Sequence, residues 1–287
     1  MEQHFNTPSE VIDTNMKAGE GKAHLPLGKM ILLGIMAGAF IALGGATSST
    51  AAHAIDNVGL ARFVAGIIFP AGLMIIAFVG GELFTGNCLI AMDGVGKKAT
   101  WFECIRHLIV VYFSNLIGAL IIDTLIYFSG NLDYTGGLLG AYAIKVAVGK
   151  VGISPLKGIT SGILCNILVC IAILMAVAAT DIVGKVWAIF FPIMAFVVGG
   201  FEHCVANMFY IPMGMMAAQN PAYVAKAQEA YGLTTEQIQG LTVLHSLNNF
   251  IPVTIGNILG GMVFVGIPCY FIYKKKWQKY HDDAKTA

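Results

Sequence analysis

Charge is what this sequence has least of. Asp, Glu, Lys and Arg make up 11% of its 287 residues, 17 basic side chains against 16 acidic, where soluble domains carry about 25%. So little charge cannot cover a water-facing exterior, and the near-neutral balance leaves no basic footprint for nucleic acid. Residues 1–25 are unlike a secretory signal as well: they are polar, hold four acidic groups and contain no apolar stretch. Metal-type cysteine spacing is also absent. The six cysteines, Cys88, Cys104, Cys165, Cys170, Cys204 and Cys269, mostly fall inside apolar runs and read as small buried hydrophobes.

What the chain does have is apolar length and glycine. Hydrophobic residues make up 57% and glycines number 34, with a mean hydropathy of +0.75. This is the composition of an all-α polytopic membrane protein whose helices approach through small residues. The length allows roughly six or seven spans of about 20 residues. Apolar runs lie at 28–48, 58–79, 107–129, 156–179, 182–198 and 246–273. Before them, Thr7-Pro8-Ser9-Glu10 carries an N-cap, a first-turn proline and a reaching glutamate, which predicts a short surface helix within residues 1–27. The transmembrane domain is then 28–273, followed by a basic tail, 274–287.

The second and fifth runs each end in a glycine pair followed by a polar residue set. These are Gly80-Gly81-Glu82-Leu83-Phe84-Thr85-Gly86-Asn87 and Gly199-Gly200-Phe201-Glu202-His203-Cys204-Val205-Ala206-Asn207. Paired glycines let the backbone leave the helix, and irregular backbone at membrane depth survives only where protein or a polar cavity surrounds it. Shorter apolar pieces, 88–95 and 204–218, continue beyond the breaks. Each broken pair is therefore one crossing, which makes six spans, two of them broken.

An even number of spans puts both termini on one side. Lys17, Lys22 and Lys29 before the first span, Lys97, Lys98 and Arg106 after the second, and Lys274, Lys275, Lys276 and Lys279 after the last place that side in the cytoplasm. Lys145, Lys150 and Lys157 fall on the opposite side, either solvating a loop or serving a negatively charged solute.

The halves echo each other. Phe69-Pro70 and Phe191-Pro192 precede the two breaks, and Ser114-Asn115-Leu116-Ile117-Gly118-Ala119 returns as Gly256-Asn257-Ile258-Leu259-Gly260-Gly261. Three spans per repeat make the second copy (about 155–273) enter inverted relative to the first (about 28–130), and such folds place their site where the broken helices meet. Residues 219–240 form a polar insertion without a counterpart. Its Asn220-Pro221-Ala222 occurs once, precedes polar sequence and fits a loop turn, not a water-channel motif.

Within the breaks, His203 is the leading candidate, since ionisable groups at membrane depth are costly and histidine changes charge near neutral pH. A neutral histidine satisfied by a backbone carbonyl is its structural alternative. Thr85 takes the corresponding place in the first break; its hydroxyl donates and accepts at once, or it caps the helix starting near Gly86. Positive helix ends pointing to the middle favour a negative solute. Glu82 and Glu202 would repel that solute if exposed, so they read as scaffold accepting hydrogen bonds from loop amides. Asn87, Asn207, Asn115 and Asn257 would pair other orphaned backbone groups. Phe69, Leu73, Leu83, Phe84 and Phe196 surround the polar waist, as packing or as a ring that strips water from a solute.

These segments resemble the formate/nitrite transporters: Glu82 to Asn87, Tyr112 to Ala119, Gly200 to Phe209, Ile211 to Gly214 and Asn249 to Gly261, in order along almost the whole chain. The resemblance implies an aquaporin-like protomer, a homopentamer in the cell membrane, and a separate path for a small anion through each protomer. His203 resembles the family's central pore histidine and Thr85 the threonine facing it. Leu73, Leu83, Phe69 and Phe196 fall at its hydrophobic constrictions, and Lys150 and Asn166 at its outer vestibule. The Thr85-Gly86-Asn87 form points to formate first, with nitrite and hydrosulfide as alternatives. The implied protein is a transporter or channel and not an enzyme, with no cofactor. A membrane redox subunit binding haem through His107, His203 and His245 is the reading from another class, and it requires paired histidines on continuous helices.

Overall fold

The computed structural model describes residues 5–274. Helix α1 (Pro8–Ala23) is started by Thr7, whose backbone N–H donates to Glu10 Oε2 at 2.7 Å. The first span is α2 (Leu27–Ala52); the second is α3 (Val58–Ile68) and α4 (Ala71–Val79), ending at the first break. Beyond it come α5 (Phe84–Asn87), a single 3-10 turn and α6 (Ala91–Val95), then the third span, α7 (Trp101–Phe128). A capping box of Thr100 and Glu103 starts α7 six residues before its apolar run. Helix α8 (Tyr134–Val151) precedes the fourth span, α9 (Pro155–Ala178), and the fifth span, α10 (Ile182–Gly199), ends at the second break. After it follow α11 (Cys204–Ala217), α12 (Pro221–Tyr231) and α13 (Thr235–Gln239). The sixth span is α14 (Val243–Ile258), a π-helical stretch and α15 (Ile267–Lys274). Six of these segments are long and apolar enough to cross a membrane.

The breaks fall where the glycines predict. Gly80 has φ +103° and Gly200 has φ +68°, values that a side chain would resist. Two segments differ from expectation. The lysine-bearing connection after the third span is not a loop: α8 is helical, because Leu139, Ala141, Ile144 and Ala147 give it an apolar face buried against α11. The insertion is helical too. Asn220 Oδ1 accepts from the Ala222 N–H at 2.9 Å and Pro221 takes the first helical position, so Asn220-Pro221-Ala222 is a helix start and not a loop turn.

Packing follows the repeat. In the first half α2 lies against α7; in the second, α9 lies against α14. Both contacts are backbone-close: a Cβ on Gly118 would stand 2.0 Å from the Ile35 carbonyl oxygen, and one on Gly256 would stand 2.3 Å from that of Ile159. Lipid gives apolar side chains little reason to leave it, so close contact between small residues holds such helices together. Helix α1 packs on α6, α9 and α15, which puts the N-terminal helix and the last described helix on one side of the bundle. The tail lysines Lys275, Lys276 and Lys279 lie outside the described residues.

Gly118→Val is expected to cost about 2–3 kcal/mol or to prevent assembly, because overpacking against backbone cannot be relieved by rotamer change. Gly21→Ala, where an added Cβ meets nothing within 4 Å, is the neutral control; thermal unfolding in detergent separates the two.

Candidate functional site

Leaving the helix frees backbone groups at each break, and one asparagine per repeat satisfies them. Asn115 Oδ1 accepts from the Phe84 N–H at 2.9 Å, while its amide donates to the carbonyls of Gly34 at 2.8 Å and Glu82 at 2.9 Å. Asn257 repeats the pattern with the Cys204 N–H at 2.8 Å, Gly162 at 2.8 Å and Glu202 at 3.0 Å. Both asparagines therefore do the backbone pairing expected of them.

Asn87 and Asn207 have a different task, and so do the glutamates. Glu82 Oε2 accepts from Lys22 Nζ at 3.0 Å and Asn87 Nδ2 at 2.7 Å, and Lys22 also reaches Asn87 Oδ1 at 2.6 Å. His107 Nε2 stands 2.9 Å from Asn87 Nδ2. In the second repeat Glu202 accepts from Lys150 Nζ at 2.8 Å, Asn207 Nδ2 at 2.7 Å and Asn249 Nδ2 at 3.1 Å. The buried carboxylates are thus held by cationic and amide side chains, not by loop amides. A bare carboxylate at membrane depth costs several kcal/mol, and a lysine with one side-chain amide at Glu82 and two at Glu202 offsets that cost. Lys22, His107 and Asn249 were missed because nothing local in the sequence ties Lys22 or Asn249 to a glutamate tens of residues away. The readable signal was that Lys22 and Lys150 each have a break glutamate on their own side.

The register of these bonds changes the equivalence of the two breaks. Glu82 matches Glu202, Phe84 matches Cys204 and Asn87 matches Asn207, so the residue matching His203 is Leu83 and not Thr85. Leu83 and His203 are both N-caps, of α5 and α11. Thr85 sits two positions later, inside α5, and does not cap it. It nevertheless meets His203, with Thr85 Oγ1 3.0 Å from His203 Nε2. Both residues are buried.

Backbone geometry settles which ring nitrogen carries the proton. The Ala206 N–H donates to His203 Nδ1 at 3.0 Å, and an amide N–H only donates, so Nδ1 is bare. Neutral His203 then carries its proton on Nε2 and donates to Thr85 Oγ1. The Thr85 hydroxyl proton is left free for another acceptor. A backbone carbonyl does not satisfy His203, as its structural alternative required.

The ring of His203 stacks on Phe196 at 5.6 Å and 20°, and Phe196 meets Phe69 edge-on at 5.5 Å. These three side chains close the inner end of a cavity of about 650 Å³ that Lys150 also lines. Leu73 and Leu83 are buried but do not line that cavity. Asn166 is not at its mouth. Fully buried on α9, it donates to the carbonyls of Thr85 at 3.1 Å and Asn257 at 2.6 Å. Its place in the middle of an apolar helix puts it level with the breaks, where its amide ties one repeat to the other.

The histidines do not form the paired set that haem ligation requires. His107 is engaged with Asn87, His203 with Thr85 and Ala206, and His245 Nδ1 lies 2.8 Å from the Gly240 carbonyl.

Comparison with known proteins matches residues 9–271 to the model of a family described as formate/nitrite transporter. A probable formate transporter of Methanothermobacter thermautotrophicus is 35% identical, over 96% of this chain and 100% of the relative. The formate channel FocA of Haemophilus influenzae is 36% identical, over 91% of this chain and 92% of its own length. Among solved structures, a pentameric formate channel with formate bound superposes with a TM-score of 0.78 at 35% identity, covering 87% of this chain and 98% of that one.

The buried ion pair makes a stability prediction. Lys150→Met strands the Glu202 carboxylate and is expected to cost about 3 kcal/mol; Lys150→Met combined with Glu202→Gln should recover much of that loss. Thermal melts of the single and double variants in one detergent measure it.

Proposed function

Because the chain belongs to the formate/nitrite transporter family, we propose that it carries formate across the membrane, as a pentamer with one pathway in each protomer. The family's members are transporters and channels, so the protein is a transport protein and not an enzyme. The observation that carries the reading is the buried Thr85–His203 hydrogen bond behind the Phe69–Phe196 contact at the end of the cavity. The lysine distribution supports cytoplasmic termini, and the cavity then faces outward.

On this reading a formate ion enters the cavity, where the Lys150–Glu202 pair shapes the field. Phe69, Phe196, Leu73 and Leu83 then form an apolar constriction on either side of the polar pair. An unpaired carboxylate there costs several kcal/mol, whereas the neutral acid does not. Passage therefore requires that the anion take up a proton before or as it crosses. His203 gives a hydrogen bond through Nε2 but does not hold a second proton at Nδ1 without breaking the cap of α11. Water in the cavity is accordingly the proton source. Thr85 and His203 provide an oriented donor, the free Thr85 hydroxyl proton, to a solute oxygen. Asn166 positions Thr85 by holding its carbonyl.

The test is uptake of radiolabelled formate into proteoliposomes, with nitrite and hydrosulfide alongside. Formate entry faster than into empty liposomes, accelerated by an inward proton gradient, is expected; entry of none of the three would overturn the transport reading. Thr85→Val removes the free donor while keeping its shape and should slow uptake by about tenfold or more, the worth of a hydrogen bond to a charged or polarised group. His203→Phe removes the donor that orients Thr85 and should slow uptake by a similar factor, while the response to the proton gradient remains and the oligomer still assembles. Uptake unchanged in both variants across pH would remove the pair from the mechanism.

A further inference from the structure

The aperture at the inner end of the cavity is bounded by rings from two different helices. Phe69 directly follows α3 and Phe196 lies on α10, with their ring centres 5.5 Å apart. The clearance between them is therefore set by how closely α3 and α10 approach. Each ring also neighbours a proline. Pro70 follows Phe69 where α3 gives way to α4, and Pro192 stands inside α10 one turn before Phe196. Proline gives up a helical hydrogen bond, so neither ring is held firmly by the backbone of its own helix.

Two contacts hold α3 to the end of α10. Gly66, one turn before Phe69, is buried, and a Cβ there would stand 2.7 Å from Val198 Cγ2 and 3.3 Å from the Met194 carbonyl oxygen. One turn earlier, Arg62 Nη1 donates to the Val198 carbonyl at 3.4 Å. That carbonyl belongs to the last turn of α10, two residues after Phe196, where a helix leaves its acceptors over. The Glu202 N–H, which would reach it in a longer helix, donates instead to Ser161 Oγ at 3.0 Å. A Cβ on Gly200 would overlap Arg62 Nη1, so the left-handed Gly200 leaves the room that the guanidinium fills. Arg62 is thus seated on the second break by a hydrogen bond and by shape.

We propose that Arg62 is a positioning residue for the Phe69–Phe196 aperture: by tying α3 to the last turn of α10 it limits the width of the opening, and with it the size of the carboxylic acid that passes. This rests on the transport reading and adds to it the feature that holds back larger acids. Gly66 sets the same distance from the packing side. The charge of Arg62 is the same toward every monocarboxylate, whether formate, acetate or lactate. A spacing role therefore shows in the ratio between acids, where the effect of charge cancels.

Initial uptake of radiolabelled formate, acetate and lactate into proteoliposomes is compared, at one proton gradient, for wild type, Arg62→Met, Arg62→Lys and Gly66→Ala. Arg62→Met keeps an apolar stem and removes the donors. It should raise the acetate-to-formate and lactate-to-formate ratios by about fivefold, the order expected when one hydrogen bond no longer opposes widening. Gly66→Ala, whose methyl group pushes Val198 away from α3, should raise the same ratios. Arg62→Lys still offers a donor to the Val198 carbonyl and should hold the ratios near wild type. Unchanged ratios in Arg62→Met, or three acids slowed by one common factor, would overturn the positioning role. The ring contact is also read without transport, from fluorine spectra of detergent-solubilised protein carrying para-fluorophenylalanine. The Phe69 and Phe196 resonances, assigned through Phe69→Tyr and Phe196→Tyr, should shift or broaden in Arg62→Met and keep their wild-type positions in Arg62→Lys; identical spectra in wild type and Arg62→Met would also overturn the role. If wild type takes up none of the acids, the transport reading falls, while the fluorine spectra still decide whether Arg62 holds the contact.

Discussion

Everything in this protein hangs on how two helices stop in the middle of a membrane. A helix that ends in lipid leaves amides and carbonyls that water cannot reach, each worth several kcal/mol if orphaned. Asn115 and Asn257 meet that demand with the same three bonds each, to one amide and two carbonyls. A side-chain amide suits this task because it donates and accepts in one plane without bringing a charge. Once the breaks are stable, the chain can place a threonine hydroxyl and an imidazole where an unbroken helix would present only apolar side chains.

The carboxylates next to the breaks extend the same logic to charge. Glu82 and Glu202 each take a lysine from outside their own span, Lys22 from the N-terminal helix and Lys150 from α8. The pairs pin peripheral helices to the breaks, one on each side of the bundle. Their cost is electrostatic reach: a lysine that neutralises a glutamate attracts little else.

The two repeats supply the same scaffold and differ where chemistry is needed. Leu83 and His203 occupy the same position in the bond register, so the polar contact between the halves is not a symmetric one. Thr85 reaches His203 from two residues further along, and His203 is free to do so because its other nitrogen caps α11. A duplicated framework thus carries a single, directional hydrogen-bond chain: the Ala206 amide to Nδ1, Nε2 to the Thr85 hydroxyl, and that hydroxyl onward.

The sequence by itself determined the class, the number of spans, the positions of both breaks and the residue types within them. Those features are local: apolar run length, glycine pairs and capping patterns act through neighbouring backbone. Asn115 and Asn257 were legible as well, since polar amides in apolar helices must find backbone to pair. What the sequence left undecided depended on distance. The vestibule position expected for Asn166 failed because helix rotation, not spacing from Lys150, decides which way a side chain faces. The partners of Glu82 and Glu202 were wrong because Lys22, Asn249 and Lys150 come from helices tens of residues away. The helical form of α8 and α12 depended on faces that only α11 and each other could bury. Only the tertiary structure brought Thr85 to His203, because spacing along the chain does not decide which atoms end up within a few ångströms of each other.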